Sequence, residues 1–197
     1  MSSQADDVNH LANQLLVAMP GMVDETFAGS VVYLCEHNAQ GAMGLVINRP
    51  TDIDLGNLFE KIDLKLEIAP LLHVPVYYGG PVQVERGFVL HQHLSDIQYS
   101  SSLTVPEGLS MTTSKDVLEA VSSGQGPSKF MMTLGYAGWG AGQLEDEISR
   151  NGWLNVSADL DHISEIVFDT PCENRYQKAM NLIGVDLSHL SGDVGHA

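Results

Sequence analysis

Short apolar runs, broken every few residues by turn signals, dominate the pattern of this chain, and long amphipathic stretches are few. Residues 1–13 are polar and predict a flexible N-terminal segment; residues 14–197 read as one domain. Gln14–Ala18 is predicted as a strand, closed by Met19-Pro20-Gly21, and Asp24–Phe27 as a helical turn. Ser30–His37 and Ala42–Asn48 read as a β-hairpin around the polar loop Asn38-Ala39-Gln40-Gly41, with Pro50 ending the second strand. Asp54–Lys61 fits a short helix, with Leu55, Leu58, Phe59 and Ile62 on one side.

Further strands are predicted over Val74–Tyr78, Gly87–Gln92, Leu109–Thr112, Lys129–Tyr136 and Trp153–Val156, with Gly80 to Gly87 as a connection. Ser114 is placed to cap a helix running to Val121. A glycine-rich stretch, Gly135 to Gly142, reads as a loop opening a helix over 141–150. Residues 159–168 suggest a helix turning into a strand. Thr170, Pro171 and Glu173 read as N-cap, N1 and N3 of a last helix reaching Ile183, with Gly184 beyond it and a short tail over 186–197. Strands outnumber helices and hairpins precede them, which predicts an α+β fold with a mixed, mainly antiparallel, strongly curved sheet flanked by helices.

Composition narrows the function classes. At 197 residues and 44% hydrophobic content, an ordinary core needs no disulfide or metal staple. The two cysteines, Cys35 and Cys172, do not make a disulfide framework. Acidic Asp6 and Asp7 near the start argue against a secretory signal, and the apolar run 15–19 is too short to span a membrane, so a cytoplasmic location is expected. Nine Lys and Arg stand against 25 Asp and Glu, a net charge of −16, and the basic residues are scattered. That charge repels phosphate backbones and anionic lipid, so neither direct nucleic-acid binding nor membrane binding is expected.

Several clusters are candidates for chemistry. Cys35 and His37, two apart on a predicted strand, would share a face, and the imidazole would then activate the thiol for nucleophilic or redox work. The competing reading makes Cys35 a small buried hydrophobe. His91 and His93 also share a face and would need a further ligand, His37 or His73, to hold a metal. Gly138-Trp139-Gly140 lies in the glycine-rich stretch, whose context suits an anion-cradling loop but lacks a phosphate-binding signature; close helix–sheet packing is the alternative. Gly79 and Gly80 suit a bend or the close approach of a partner backbone. Arg49, after Asn48, suits an anion or a structural carboxylate. Serines and threonines at 100–102 and 112–114 lack a nucleophile elbow.

The phrases SVVYLCEHNAQGAMGLVINRP (30–50), VYYGGPV (76–82), GFVLH (87–91), MTTSKDVLEA (111–120), LGYAGWGAGQLEDEI (134–148), WL (153–154), FDTP (168–171) and GHA (195–197) together resemble the AlgH/YqgE family of bacterial proteins. The resemblance implies a barrel-like sheet and a cytosolic setting. It brings a link to alginate regulation, and a nucleic-acid context through neighbouring genes for a resolvase-like protein, but no catalytic residue. The combined expectation is a non-enzymatic binding or regulatory protein without cofactor or metal. It would act through an unidentified protein partner, not DNA contact, as a monomer or weak dimer. Its expected ligand or partner surface comprises Cys35, His37, Asn48, Arg49, Gly79, Gly80, Gly138, Trp139 and Gly140. A thiol-dependent enzyme or redox sensor using Cys35 with His37 is the alternative.

Overall fold

Hydrophobic alternation divides the first strand between two cores. In the computed structural model, which describes residues 11–21 and 24–184, β1 (Leu15–Ala18) turns Leu15 and Val17 to an inner core and Leu16 and Ala18 to the opposite face. The hairpin of β2 (Val31–Asn38) and β3 (Gly41–Val46) repeats the division. Val31, Tyr33 and Leu45 point inward; Val32, Leu34 and Val46 point outward. Asn38 pairs with Gly41, so the turn is two residues rather than four.

The remaining strands are β4 (Pro50–Asp54), β5 (Pro75–Tyr78), β6 (Val82–His91), β7 (Ser102–Thr104), β8 (Ser110–Thr112), β9 (Phe130–Gly140) and β10 (Trp153–Val156). They curl into an antiparallel half-barrel in the order β10-β1-β2-β3-β9-β6-β8-β7, while β4 pairs with β5, and β5 lies parallel to β9. The helices are α1 (Leu55–Lys61), α2 (Lys115–Ser122), α3 (Gln143–Ser149), α4 (Leu160–Ser164) and α5 (Arg175–Asn181). Residues from α4, a π-helical turn (Glu165–Asp169) and α5 fill the inner core, through Ile163, Ile166, Val167, Ala179 and Met180. On the other face, α3 covers β1–β3 and β9 through Leu144. There α1 and α2 cover β5, β6 and β9 through Leu55, Phe59, Val117 and Val121. Full burial of each of the Val, Leu, Ile, Phe and Met side chains among them contributes about 1.5–3 kcal/mol. The expected α+β class and curved, mainly antiparallel sheet are therefore observed.

Local expectations fail where side-chain periodicity is weak. The glycine-rich stretch is strand, not loop. Ala137 and Trp139 are buried while Gly138 and Gly140 are open, a period-two pattern, and the helix begins only after Gly142, whose φ of 74° is left-handed. The supposed connection Gly80 to Gly87 is also mostly strand: β6 starts at Val82, and residues 83–86 bulge out between the pairs Val82–Tyr136 and Gly87–Leu134. Pro50 opens β4 instead of ending a strand, a position proline tolerates. β7, three residues long, was not anticipated.

The strand expected within 159–168 is the π-helical turn. Thr170 does not cap a helix. Its hydroxyl donates to Glu165 O at 2.9 Å, Pro171 is extended, and one 3₁₀ turn precedes α5. Ser114 occupies the N-cap of α2, but its hydroxyl donates to Asp116 and accepts from Ser101 N. Leu11 packs beside Leu16, and Asn13 N donates to Leu34 O at 2.9 Å. Residues 1–10 and the tail 186–197 lie outside the described residues. No helix among the described residues is long and apolar enough to cross a membrane.

Candidate functional site

A β-bulge separates the first candidate pair. Leu34 pairs with Gly44 and Glu36 with Met43, so Cys35 is an extra residue on β2 and the faces exchange beyond it. Cys35 packs with Tyr33 in the inner core; His37 stands opposite Ala42 on the other face and hydrogen-bonds Glu145 of α3. The shared face expected from an unbroken strand is therefore absent. Cys35 Sγ donates to Tyr33 O at 3.8 Å. Burial pushes its thiol up to about 12, and the Glu36 carboxylate acts in the same direction, so the thiol stays protonated at pH 7. In native protein a maleimide is expected to label the half-buried Cys172 and to spare Cys35 until denaturant is added. Peptide mapping that finds Cys35 modified first would contradict this burial.

The other residues of the expected surface occupy separate structural positions. Asn48 Oδ1 accepts from Val31 N and its Nδ2 donates to Gly29 O, both at 2.9 Å. Arg49 donates to Thr26 O and to Ala28 O, so the two side chains hold the 24–29 turn. Gly79 and Gly80 cross the backbone of β9. Trp139, between Gly138 and Gly140, packs against Phe27 and Trp153 with ring centroids 6.2 and 5.9 Å away.

A different site arises where helices stop covering the outer face. Beyond α2, the residues of β6, β8 and β7 that face outward become polar: His91, Ser110, Thr112, Ser102 and Thr104. Period two places Ser110 with Thr112 and Ser102 with Thr104, and antiparallel pairing sets Ser102 opposite Thr112 and Thr104 opposite Ser110. The segment 92–99 folds over this stripe, and Tyr99 meets the His91 ring edge-on at 5.6 Å. Asp116 fixes the approach to β7 by accepting from Ser100 N and Oγ at 2.7 and 2.9 Å. Burial raises its pKa, but these bonds and that from Ser114 prevail and hold the carboxyl below its usual range.

The tautomer of His91 follows from its partners. Nδ1 lies 2.7 Å from Gln92 O, which only accepts, so Nδ1 carries a proton. Burial lowers the His91 pKa, against the Gln92 carbonyl and with the help of His93, so the ring is neutral near pH 7 and Nε2 is an acceptor. The Thr112 hydroxyl, 2.8 Å away, donates to it. His93 Nδ1 pairs with Ser110 Oγ at 3.2 Å. The histidines that suggested a metal thus hold hydroxyls. Among the described residues no group of three or more His, Cys, Asp or Glu is arranged to hold a metal ion.

Two clefts flank the stripe and share His93 and Thr104. One, of about 520 Å³, opens between Thr104–Leu109 and α4; Val105, Leu109 and Leu160 give it apolar surface, and Gln92, His93 and Ser164 give it donors and acceptors. Its charged lining is Glu107 and Asp161, with neither Lys nor Arg. The other, of about 130 Å³, lies under the 92–99 segment beside His91, Tyr99, Ser102 and Ser110. Alternating hydroxyls over 102–104 and 110–112 were the available signal for this site, missed because so short a strand as β7 lacks apolar periodicity.

A family described as AlgH-like matches residues 15–188. Proteins named UPF0301 from Burkholderia multivorans and Burkholderia thailandensis are 65% and 64% identical over 197 residues, with 100% of both chains covered. The solution structure of the AlgH protein from Pseudomonas aeruginosa is similar at 47% identity and a TM-score of 0.76, over 100% of each chain. A crystal structure from Corynebacterium diphtheriae, 24% identical over 75% of this chain and 76% of its own, shares the fold with a TM-score of 0.57.

Proposed function

The chain belongs to the AlgH-like family, and from that premise we propose that it is a binding protein with a regulatory role, acting through contact with a protein partner when a small polar ligand fills the 520 Å³ cleft beside α4. The observation that carries this reading is the 520 Å³ cleft itself, which joins apolar surface to uncharged hydrogen-bonding groups, the usual composition of a small-molecule site. Glu107 and Asp161 at its rim, and the net charge of −16, favour a neutral or cationic ligand and disfavour a phosphorylated one. The same charge supports an indirect regulatory role rather than contact with DNA. The buried, protonated Cys35 weighs against thiol chemistry.

A thermal-shift screen of amines, polyols and phosphorylated metabolites tests the ligand class. A ligand at 100 times its Kd adds about 2.7 kcal/mol of stability, a rise of roughly 5–10 °C for a chain of this size. Amines or polyols are expected to give that rise, and Leu160→Trp, which fills the cleft from an exposed position, is expected to remove it. Stabilisation by phosphorylated compounds alone, or a shift indifferent to Leu160→Trp, would overturn the assignment.

A further inference from the structure

The hydrogen bonds of the polar stripe run in one direction. Thr112 has one hydroxyl proton, and His91 Nε2 takes it. Thr112 Oγ1 is therefore the acceptor in its 2.9 Å contact with Ser102 Oγ, and Ser102 is the donor, the Met111 carbonyl at 3.5 Å being a much weaker acceptor for the same proton. The chain Ser102 to Thr112 to His91 ends at the Gln92 carbonyl, which holds the ring in the tautomer that can receive a proton at Nε2. The far end is open: Ser102 is exposed and lines the 130 Å³ cleft. A hydroxyl linked to a neutral imidazole whose second nitrogen is anchored by an acceptor is the arrangement that activates a nucleophile, here lengthened by one hydroxyl.

The size of this cleft limits what can reach Ser102. Tyr99 is one of its walls, with its ring edge-on to His91. At about 30 Å³ per water, the cleft has room for roughly four waters, or for an acyl group of a few carbons.

The geometry points to Ser102 as a nucleophile toward a small activated carboxylic ester, with Thr112 relaying its proton to His91. Ser102 Oγ bonds to the acyl carbon, and the bond from that carbon to the leaving alkoxide breaks. The Ser102 proton passes to Thr112 as Thr112 gives its own to His91 Nε2, and the same path returns a proton to the leaving oxygen. The products are acyl-Ser102 and an alcohol; a water retracing the path releases the carboxylic acid. This capacity goes beyond ligand binding in the larger cleft and rests on different residues.

Incubating the full chain with p-nitrophenyl acetate, followed by peptide mass mapping, tests it. One acetyl group is expected on Ser102, with a matching burst of p-nitrophenolate. Ser102→Ala is expected to abolish both. Thr112→Val, which keeps the side-chain shape, is expected to slow acetylation by roughly 10²-fold, the usual worth of positioned proton transfer. Thr112→Ser is expected to restore it, and it keeps the test decisive if the valine variant folds poorly. Acetyl groups confined to lysines, or Ser102 acetylation at an unchanged rate in the Thr112→Val chain, would overturn the proposal. Ser102→Ala leaves Leu160 and the larger cleft intact, so its ligand-induced thermal shift judges the binding reading separately.

Discussion

Alanine at Gly80 is expected to leave no cooperatively folded protein at 25 °C. The added Cβ would lie 2.0 Å from Tyr136 C, 2.2 Å from Tyr136 O and 2.3 Å from Ala137 N, with φ at +154°. All three contacts are backbone atoms, so no rotamer change relieves them. They also sit where the chain after β5 crosses β9, at the join of the β4–β5 pair and the main sheet. Gly135, at φ +77°, makes the reciprocal approach, 2.3 Å from Gly80 O for an ideal Cβ. Separating the two backbones would break the bonds Gly79 N to Leu134 O and Val46 N to Gly79 O, each 2.8 Å. A domain with about 5–15 kcal/mol of total stability cannot absorb that loss together with the strain. Gly142→Ala is the matched control. Gly142 also has positive φ, but nothing lies within 4 Å of its would-be Cβ, so only the left-handed penalty of about 1–2 kcal/mol applies. Urea titrations read by circular dichroism should show a modest midpoint shift for Gly142→Ala and no native baseline for Gly80→Ala. A Gly80→Ala midpoint close to that of the parent would refute the close crossing.

Arg175→Ala is expected to lose about 2–4 kcal/mol. Arg175 is buried on α5, donates Nε to Thr170 O at 2.9 Å and Nη1 to Ile47 O, and stacks over the Tyr77 ring at 5.1 Å. One guanidinium thereby ties the last helix to the end of β3, the turn before α5, and β5. Removing it leaves two carbonyls short of a donor, at about 1–3 kcal/mol each, and forfeits the cation–π contact, about 1–2 kcal/mol when desolvated. Release of a buried charge offsets part of this total. Arg175→Lys is expected to recover little, because a single ammonium cannot span both carbonyls and lie flat on the ring. The measurement is again the urea midpoint at constant slope; a lysine variant with parental stability would show that the planar fork is dispensable.

Legibility in the sequence followed the amount of side-chain information. The hairpin of β2 and β3, the two-faced β1, and β10 were readable because alternate residues bury on defined faces. The curved α+β architecture followed from the order of such elements. The β2 bulge left no trace, since Val31–Cys35 is apolar without a break and fixes no register, and Cys35 with His37 looked like a pair for that reason. Glycines misled in the opposite sense: the run after Leu134 suggested a loop, while Ala137 and Trp139 carried the strand periodicity between them. The outer stripe of hydroxyls was legible only as scattered serines and threonines. Only the pairing of β8 with both β6 and β7 brings Ser102, Thr112 and His91 into line, and residues 102 and 112 gave no hint of that register.

Among the described residues the half-barrel does not close: its path ends at β7, three residues long, and β10, four, and β4, five residues long and paired only with β5, forms a third rim. A rim is a row of unsatisfied amides and carbonyls, and its length limits how firmly another strand can dock there. Alternate residues in an antiparallel ladder point their hydrogen-bonding groups outward, so each of these short borders offers only a few main-chain bonds to a neighbouring chain, and Pro50 removes a donor from the β4 border. Brevity at such margins limits runaway sideways polymerisation, a safeguard that a closed barrel obtains by having no margins at all.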